Sequence, residues 1–178
     1  MLVPMWEAEG RVVMALTLRS QELSSHSGQI SFPGGRRDAG ELDLRATALR
    51  ETHEELGIHP NDVSVVAQLD DAWSIQRYVV SVFVGWLPAP PIITPSPAEI
   101  DRVIYADVEQ MMRPAAHACQ RMRRGGQTFA VHSFDVDGDS VWGLTGGVLY
   151  GLFRRLRGEA IDADTHGPTT FRRFIEVQ

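Results

Sequence analysis

One segment of the chain is bounded so tightly by its own residues that it constrains everything around it. Leu44 to Leu56 carries helix-forming residues with Asp43 ahead of it and Gly57 behind it. An aspartate at that position accepts a hydrogen bond from an orphan N–H of the first turn, and a glycine past the last turn takes a left-handed conformation without a Cβ penalty. Leu49 and Leu56 lie two helical turns apart and mark one apolar face, so the helix needs a sheet to pack on.

The flanking segments supply that sheet. Arg11 to Leu18 reads as a strand, and a polar stretch from Arg19 to Gly28 leads to a short strand at Gln29 to Phe32. Pro33, Gly34 and Gly35 then force a turn. Further strands are predicted at Val63 to Leu69, Arg77 to Leu87, Glu99 to Ala106 and Gln127 to Val136. Asp137-Gly138-Asp139 turns the last of these into Ser140 to Trp142. Pro88 to Pro97 is a stiff loop, Asp107 to Met112 a short helix, Arg113 to Gly126 a loop and Gly147 to Leu156 a closing helix. Strands and helices mix without regular alternation, which predicts an α+β fold of the α/β/α sandwich kind. A length of 178 residues favours a single domain, residues 1–178, with one full core.

Bulk properties narrow the function. A net charge of −6 argues against a general nucleic-acid binder, which needs a basic face. It leaves room for a phosphorylated small molecule, because a divalent cation can supply positive charge locally. The single cysteine, Cys119, forms no internal disulfide, fits a reducing compartment and reads as a small buried hydrophobe. Residues 1–18 carry Glu7 and Glu9 where a leader would be basic, and the apolar run Tyr78 to Leu87 is half a membrane span. A cytoplasmic protein with no membrane partner is expected.

The chemistry concentrates at Gly35-Arg-Arg-Asp-Ala-Gly-Glu41 and, after eight residues, Arg50-Glu51-Thr52-His53-Glu54-Glu55-Leu56-Gly57-Ile58. Helix neighbours stand three and four apart, so Glu51 faces both Glu54 and Glu55, and three carboxylates are expected on one side. Like charges so placed destabilise a helix by a few tenths of a kcal/mol per pair, about what a divalent cation with a taste for hard oxygen ligands would relieve. Alone, such a triplet reads more readily as a solvated acidic face with an Arg50–Glu54 pair, because such triplets are common on surfaces. The glycine turn upstream favours the metal, since a Gly35 carbonyl could approach the same ions.

These residues resemble the Nudix box at Gly35, Glu41, Arg50, Glu51, Glu54, Glu55, Gly57 and Ile58. The gap between Glu41 and Arg50 is one residue longer than the general pattern, and Thr52 stands where an aliphatic residue is usual. Leu16-Thr17-Leu18-Arg19-Ser20 and His26-Ser27-Gly28-Gln29-Ile30-Ser31-Phe32-Pro33-Gly34-Gly35 resemble the signature of the coenzyme A pyrophosphatase branch, which has the longer gap. Pro97-Ala98-Glu99-Ile100 and Val141-Trp142-Gly143-Leu144-Thr145 resemble its later patterns, so the likeness runs from about residue 11 to 157.

The resemblance implies a Nudix fold with a mixed β-sheet and metal-dependent cleavage of a pyrophosphate. Mg²⁺ or Mn²⁺ would be held by Gly35, Glu51, Glu54 and Glu55, with Glu54, Glu55 and Arg50 as the catalytic group. Arg50 would steady the glutamates, and Glu99 is a candidate base or further ligand. Arg19, Arg36 and Arg37 are candidates to meet the extra phosphate of coenzyme A, while His26, Gly28 and Gln29 contact substrate or order their loop. His53, His117, His132 and His166 read as structural or solvent-facing, and Trp142 as core. The expected partner is a coenzyme A-like nucleotide, with a homodimer as the assembly to test. Other Nudix substrates (ADP-ribose, NADH, dinucleoside polyphosphates, nucleoside triphosphates) and a non-catalytic nucleotide-binding module are the rival readings.

Overall fold

The computed structural model describes residues 1–21, 28–74, 78–124 and 127–159. In chain order the elements are β1 (Leu2–Ala8), β2 (Arg11–Arg19), β3 (Ile30–Ser31), α1 (Leu44–Leu56), β4 (Ser64–Gln68), β5 (Ala72–Trp73), β6 (Val79–Val80), β7 (Phe83–Trp86), β8 (Ile100–Asp107), α2 (Val108–Met111), β9 (His117–Arg124), β10 (Gln127–Val136), β11 (Asp139–Val141) and α3 (Gly143–Leu156). They fall into two compact units: Met1–Gln68 with Phe83–Gln110, and Leu69–Val82 with Met111–Gln178.

The first unit is a sheet in the order β3-β2-β1-β7-β4, with β8 along the other side of β2. β1 and β7 run parallel while the remaining pairs are antiparallel, so the sheet is mixed and the fold α+β as expected. β1 was not predicted as a strand. Leu2 through Trp6 are all buried, so both of its faces are covered and no apolar–polar alternation marks it. α1 lies where the sequence placed it, with Ala48 and Leu56 in a cluster containing Leu2, Trp6, Ala15, Ile58, Val63, Phe83 and Leu87, and Leu49 packed on its margin. Each large side chain buried there contributes about 1.5–3 kcal/mol, which fixes α1 and everything it carries against the strands.

The second unit holds the sheet β11-β10-β9, the small β5–β6 pair and α3, which packs on β10 through Val148, Leu149, Leu152 and Phe153. Four sequence expectations are corrected here. The predicted strand Arg77 to Leu87 is divided, with β6 pairing β5 in this unit and β7 in the other sheet. Between them the Ser81 hydroxyl donates to Asp71 at 2.7 Å and the Val82 carbonyl accepts from Leu69, which turns the chain out of register. Arg113 to Gly126 contains β9 rather than a loop; its run of arginines carries no apolar period to announce a strand. Cys119 lies exposed on β9, not in a core. Trp142 is 60% exposed because it precedes α3, which begins at Gly143, earlier than predicted. Among the described residues, no helix is long and apolar enough to cross a membrane.

Candidate active site

Every side chain of the candidate site that is described belongs to the first unit. Its platform is α1, and both ends are fixed as the sequence requires. Asp43 Oδ1 accepts from the Ala46 N–H at 2.8 Å, while Gly57, at φ 74°, donates to the His53 carbonyl. The free carbonyls of the last turn are taken by the Pro-rich loop: Thr94 N–H donates to Leu56 and Ser96 N–H to Glu55. The Ser96 carbonyl then accepts from Glu99 and Ile100, and the Glu99 carbonyl accepts from Ser20. Glu99 is thereby set at the start of β8, close enough for its charge to act on both Glu51 and Glu55. Thr52, in the usually aliphatic slot, is fully buried and donates its hydroxyl to the Ala48 carbonyl at 2.7 Å, so the polar atom is satisfied inside the helix.

The glycine turn meets this helix directly. A Cβ built on Gly35 would stand 2.2–2.5 Å from the carboxylate atoms of Glu51, a separation no real side chain tolerates. Gly34 N–H donates to Glu55 Oε2 at 3.3 Å, and Arg19 Nη1 reaches Glu55 Oε1 at the same distance. The Glu55 side chain is only 3% exposed. Burial pushes its carboxyl up to about 7, opposed by Arg19 and reinforced by Glu51 and Glu99. Glu51 is raised too, again chiefly by burial, with Arg50 opposing.

Arg50 is the hub. Its Nε donates to Glu41 at 2.8 Å, Nη1 to Glu54 at 2.6 Å, and Nη2 to Glu51 at 2.9 Å and the Arg36 carbonyl at 3.0 Å. Glu41 also accepts from the Thr47 hydroxyl at 2.6 Å and the Asp38 N–H at 2.8 Å. Thr47, then Arg50, holds its carboxyl down at about 2. The longer gap before Arg50 therefore leaves Glu41 as a structural acceptor that ties the 38–41 loop to α1.

Of the three carboxylates that the sequence sets on one side, Glu55 is the deepest and Glu54 the most exposed. The Glu51 charge acts on the buried Glu55 beside Gly34, the Glu54 charge acts on Glu51, and Arg50 binds both Glu51 and Glu54, of which Glu54 is 51% exposed. The contact of Arg50 with Glu54 follows from their i,i+4 spacing. Among the described residues, no three acidic, histidine or cysteine side chains are grouped closely enough to hold one ion as they stand. The donor set still fits a divalent cation: desolvated hard oxygens, mutual repulsion that a cation relieves, and a missing Cβ that lets backbone come up to Glu51.

The substrate candidates are dispersed. Arg37 donates to the Glu41 and Leu42 carbonyls, Arg36 offers its carbonyl to Arg50 and is exposed, and the exposed Gln29 accepts from the Arg19 N–H through its carbonyl. His26 lies outside the described residues. His53 is exposed, and His117 and His132 belong to the second unit, with rings stacked at 5.1 Å. Thr47 and Asp38 were not foreseen. Thr47 sits one turn before Glu51, a position that points to the same side.

Comparison with known proteins gives the family. The model of the NUDIX domain matches residues 1–127. The chain is 32% identical over 134 residues to the peroxisomal coenzyme A diphosphatase NUDT7 of Mus musculus, covering 75% of this chain and 57% of that protein. It is 36% identical over 147 residues to the chloroplastic Nudix hydrolase 22 of Arabidopsis thaliana, covering 79% of this chain and 49% of that one. The chain thus spans only about half the length of these relatives. A bacterial relative, the Nudix hydrolase NudL of Photorhabdus laumondii, is 32% identical, with 81% of this chain and 77% of that protein covered. Two solved structures share the fold: a MutT/nudix family protein from Enterococcus faecalis (TM-score 0.56, 12% identity, 97% of this chain and 65% of that one) and a C. elegans Ap4A hydrolase binary complex (TM-score 0.53, 22% identity, 61% and 78%).

Proposed function

This chain belongs to the Nudix family, and on that premise we propose that it hydrolyses the pyrophosphate of a nucleoside diphosphate derivative with the help of Mg²⁺ or Mn²⁺, coenzyme A or an acyl-coenzyme A being the preferred substrate. The observation that carries the reading is the Glu51 carboxylate seated where a Gly35 Cβ would be, next to the buried Glu55. Family membership supports the reaction class. The run from His26 to Gly35 and the likeness to a protein named a coenzyme A diphosphatase support the substrate.

Glu51, Glu55 and the Gly35 carbonyl would hold the ion, with Glu54 joining them once it leaves Arg50. A bound divalent cation would neutralise the diphosphate and make water more acidic. The rest falls to the protein. Arg50 stays bonded to Glu41 and Glu51 through its fixed fork, so Glu51 keeps its place when Glu54 turns to the ion. Glu54, the most solvent-accessible of the three, orients or deprotonates the attacking water, with Glu99 as the alternative base. The leaving phosphoryl group departs as an anion, and arginines of the site stabilise it. Coenzyme A would give adenosine 3′,5′-bisphosphate and 4′-phosphopantetheine. The same reading takes residues 1–178 as one catalytic domain, in the cytoplasm, with a small nucleotide rather than nucleic acid or membrane as partner, and a homodimer as the assembly to test.

A substrate panel tests it. Coenzyme A, ADP-ribose, NADH, a dinucleoside polyphosphate and a nucleoside triphosphate are incubated with Mg²⁺ or Mn²⁺, and the products are weighed by mass spectrometry. Fastest cleavage of coenzyme A to the two named products is expected. Intact coenzyme A beside a cleaved competitor would overturn the substrate, and no cleavage of any would overturn the activity.

A further inference from the structure

We propose that Arg19 is a counter-ion latch on Glu55: its guanidinium steadies that buried carboxylate before a divalent ion arrives, and is released to the substrate diphosphate when the ion takes Glu55 over. This deepens the metal-site reading above and rests on it.

The latch has a fixed base. β2 ends at Arg19, where its register on β8 slips: Leu18 stands opposite Arg102, but Arg19 stands opposite Ile100. Such a bulge bends the strand and re-aims the side chain. On the other side the Arg19 backbone is held twice, its N–H donating to Gln29 at 3.0 Å and its carbonyl accepting from Gly28 at 3.1 Å. The guanidinium therefore leaves a rigid point and arrives at Glu55 Oε1.

Its grip there is incomplete. A planar fork can place two parallel N–H bonds on one carboxylate at about 2.7–2.9 Å. Arg19 makes a single contact at 3.3 Å, and its Nε is buried with no hydrogen-bond partner among the described residues. Arg50 is the contrast within the same site, since its Nε, Nη1 and Nη2 all donate, at 2.6–3.0 Å. One arginine is fully used and fixed; the other keeps a buried donor in reserve beside the place where phosphate oxygens would lie. An ion and Arg19 are both cations seeking the lone pairs of Glu55, so they compete. Diphosphate oxygens accept from Arg19, so substrate and Arg19 cooperate. A residue that only braced Glu55 would help both, and one that only bound substrate would leave the ion alone.

Calorimetric titration of Mn²⁺ alone into the metal-free protein separates these cases, with kcat and KM for coenzyme A measured beside it. Arg19→Gln is expected to bind Mn²⁺ about tenfold tighter, the scale on which a neighbouring arginine biases a carboxylate, while its kcat/KM falls by at least about tenfold. Arg19→Lys keeps the charge but not the fork; it should hold wild-type Mn²⁺ affinity with a raised KM, and it serves should the Gln variant fail to fold. Glu55→Gln should weaken Mn²⁺ binding. If it does, and Arg19→Gln or Arg19→Lys weakens Mn²⁺ binding or Arg19→Gln leaves it unchanged, the latch is refuted. If Glu55→Gln leaves Mn²⁺ binding intact, the metal site itself is misplaced, and the latch falls with it.

Discussion

Adding one methyl group at Gly35 would perturb the site at its tightest point. The new Cβ falls 2.2 Å from Glu51 Oε1, 2.3 Å from its Cδ and 2.5 Å from Oε2. Non-bonded contact becomes comfortable near 3.5 Å, so the carboxylate must withdraw by about 1 Å. Glu51 is the end of a flexible side chain, and Gly35 does not sit in the left-handed region, so the backbone accepts alanine. Folding should change by less than about 1 kcal/mol, since relief of unfolded-state entropy offsets part of the strain. Function should not be spared: a misplacement of about 1 Å costs about 10²-fold in rate. Gly35→Ala is therefore expected to melt within a few degrees of wild type, in a thermal scan, with kcat/KM reduced by about 10²-fold. Wild-type turnover would refute the close approach, and a collapse in melting temperature would show that Gly35 serves the fold instead.

Three further outcomes follow from the same geometry. Without metal, stability should fall as pH rises from about 4.5 to about 7, because folded Glu55 titrates near 7 and binds protons there that the unfolded chain has already released. The full effect is up to about 3 kcal/mol; urea unfolding in chelator at pH 5 and 8 would read it, Glu55→Gln should flatten most of it, and a rise with pH would contradict it. Gly57→Ala should cost about 1–2 kcal/mol in urea unfolding, since the position is left-handed at φ 74° and its Cβ would press Thr94 at 3.2 Å. Arg50→Lys removes the fork shared by Glu41, Glu51 and Glu54; kcat should fall by about 10²-fold or more while KM for the substrate changes little, and an unchanged kcat would make Arg50 a surface ion pair.

The parts of this protein that were legible in its sequence are those governed by local rules. α1 was readable to its last residue because Asp43 and Gly57 are chemical stops; helical spacing placed Glu51 beside Glu54 and Glu55, and the resemblance identified them as box residues. β1 was missed because a strand covered on both faces shows no alternation, and β9 because arginines hide its period. The division between β6 and β7 depends on Asp71 meeting Ser81, a contact between residues ten apart that no apolar pattern encodes. Trp142 and Cys119 read as core residues from composition alone, yet exposure is decided by where the neighbouring element starts. In the site, helical spacing sets Glu51 beside Glu54 and Glu55, but it does not encode the grip of Arg50 on Glu54 or the capture of Glu41 by Thr47.

Turnover by Glu51→Gln and Glu55→Gln, each confirmed folded and assayed on the substrate identified by the panel at saturating Mg²⁺, bears most directly on the central claim. Exchanging an ionised oxygen for an amide changes little in shape and removes the charge that would hold the ion. Rates at least about 10³-fold below wild type are predicted for both. Rates within a few-fold of wild type would place the chemistry elsewhere in the molecule.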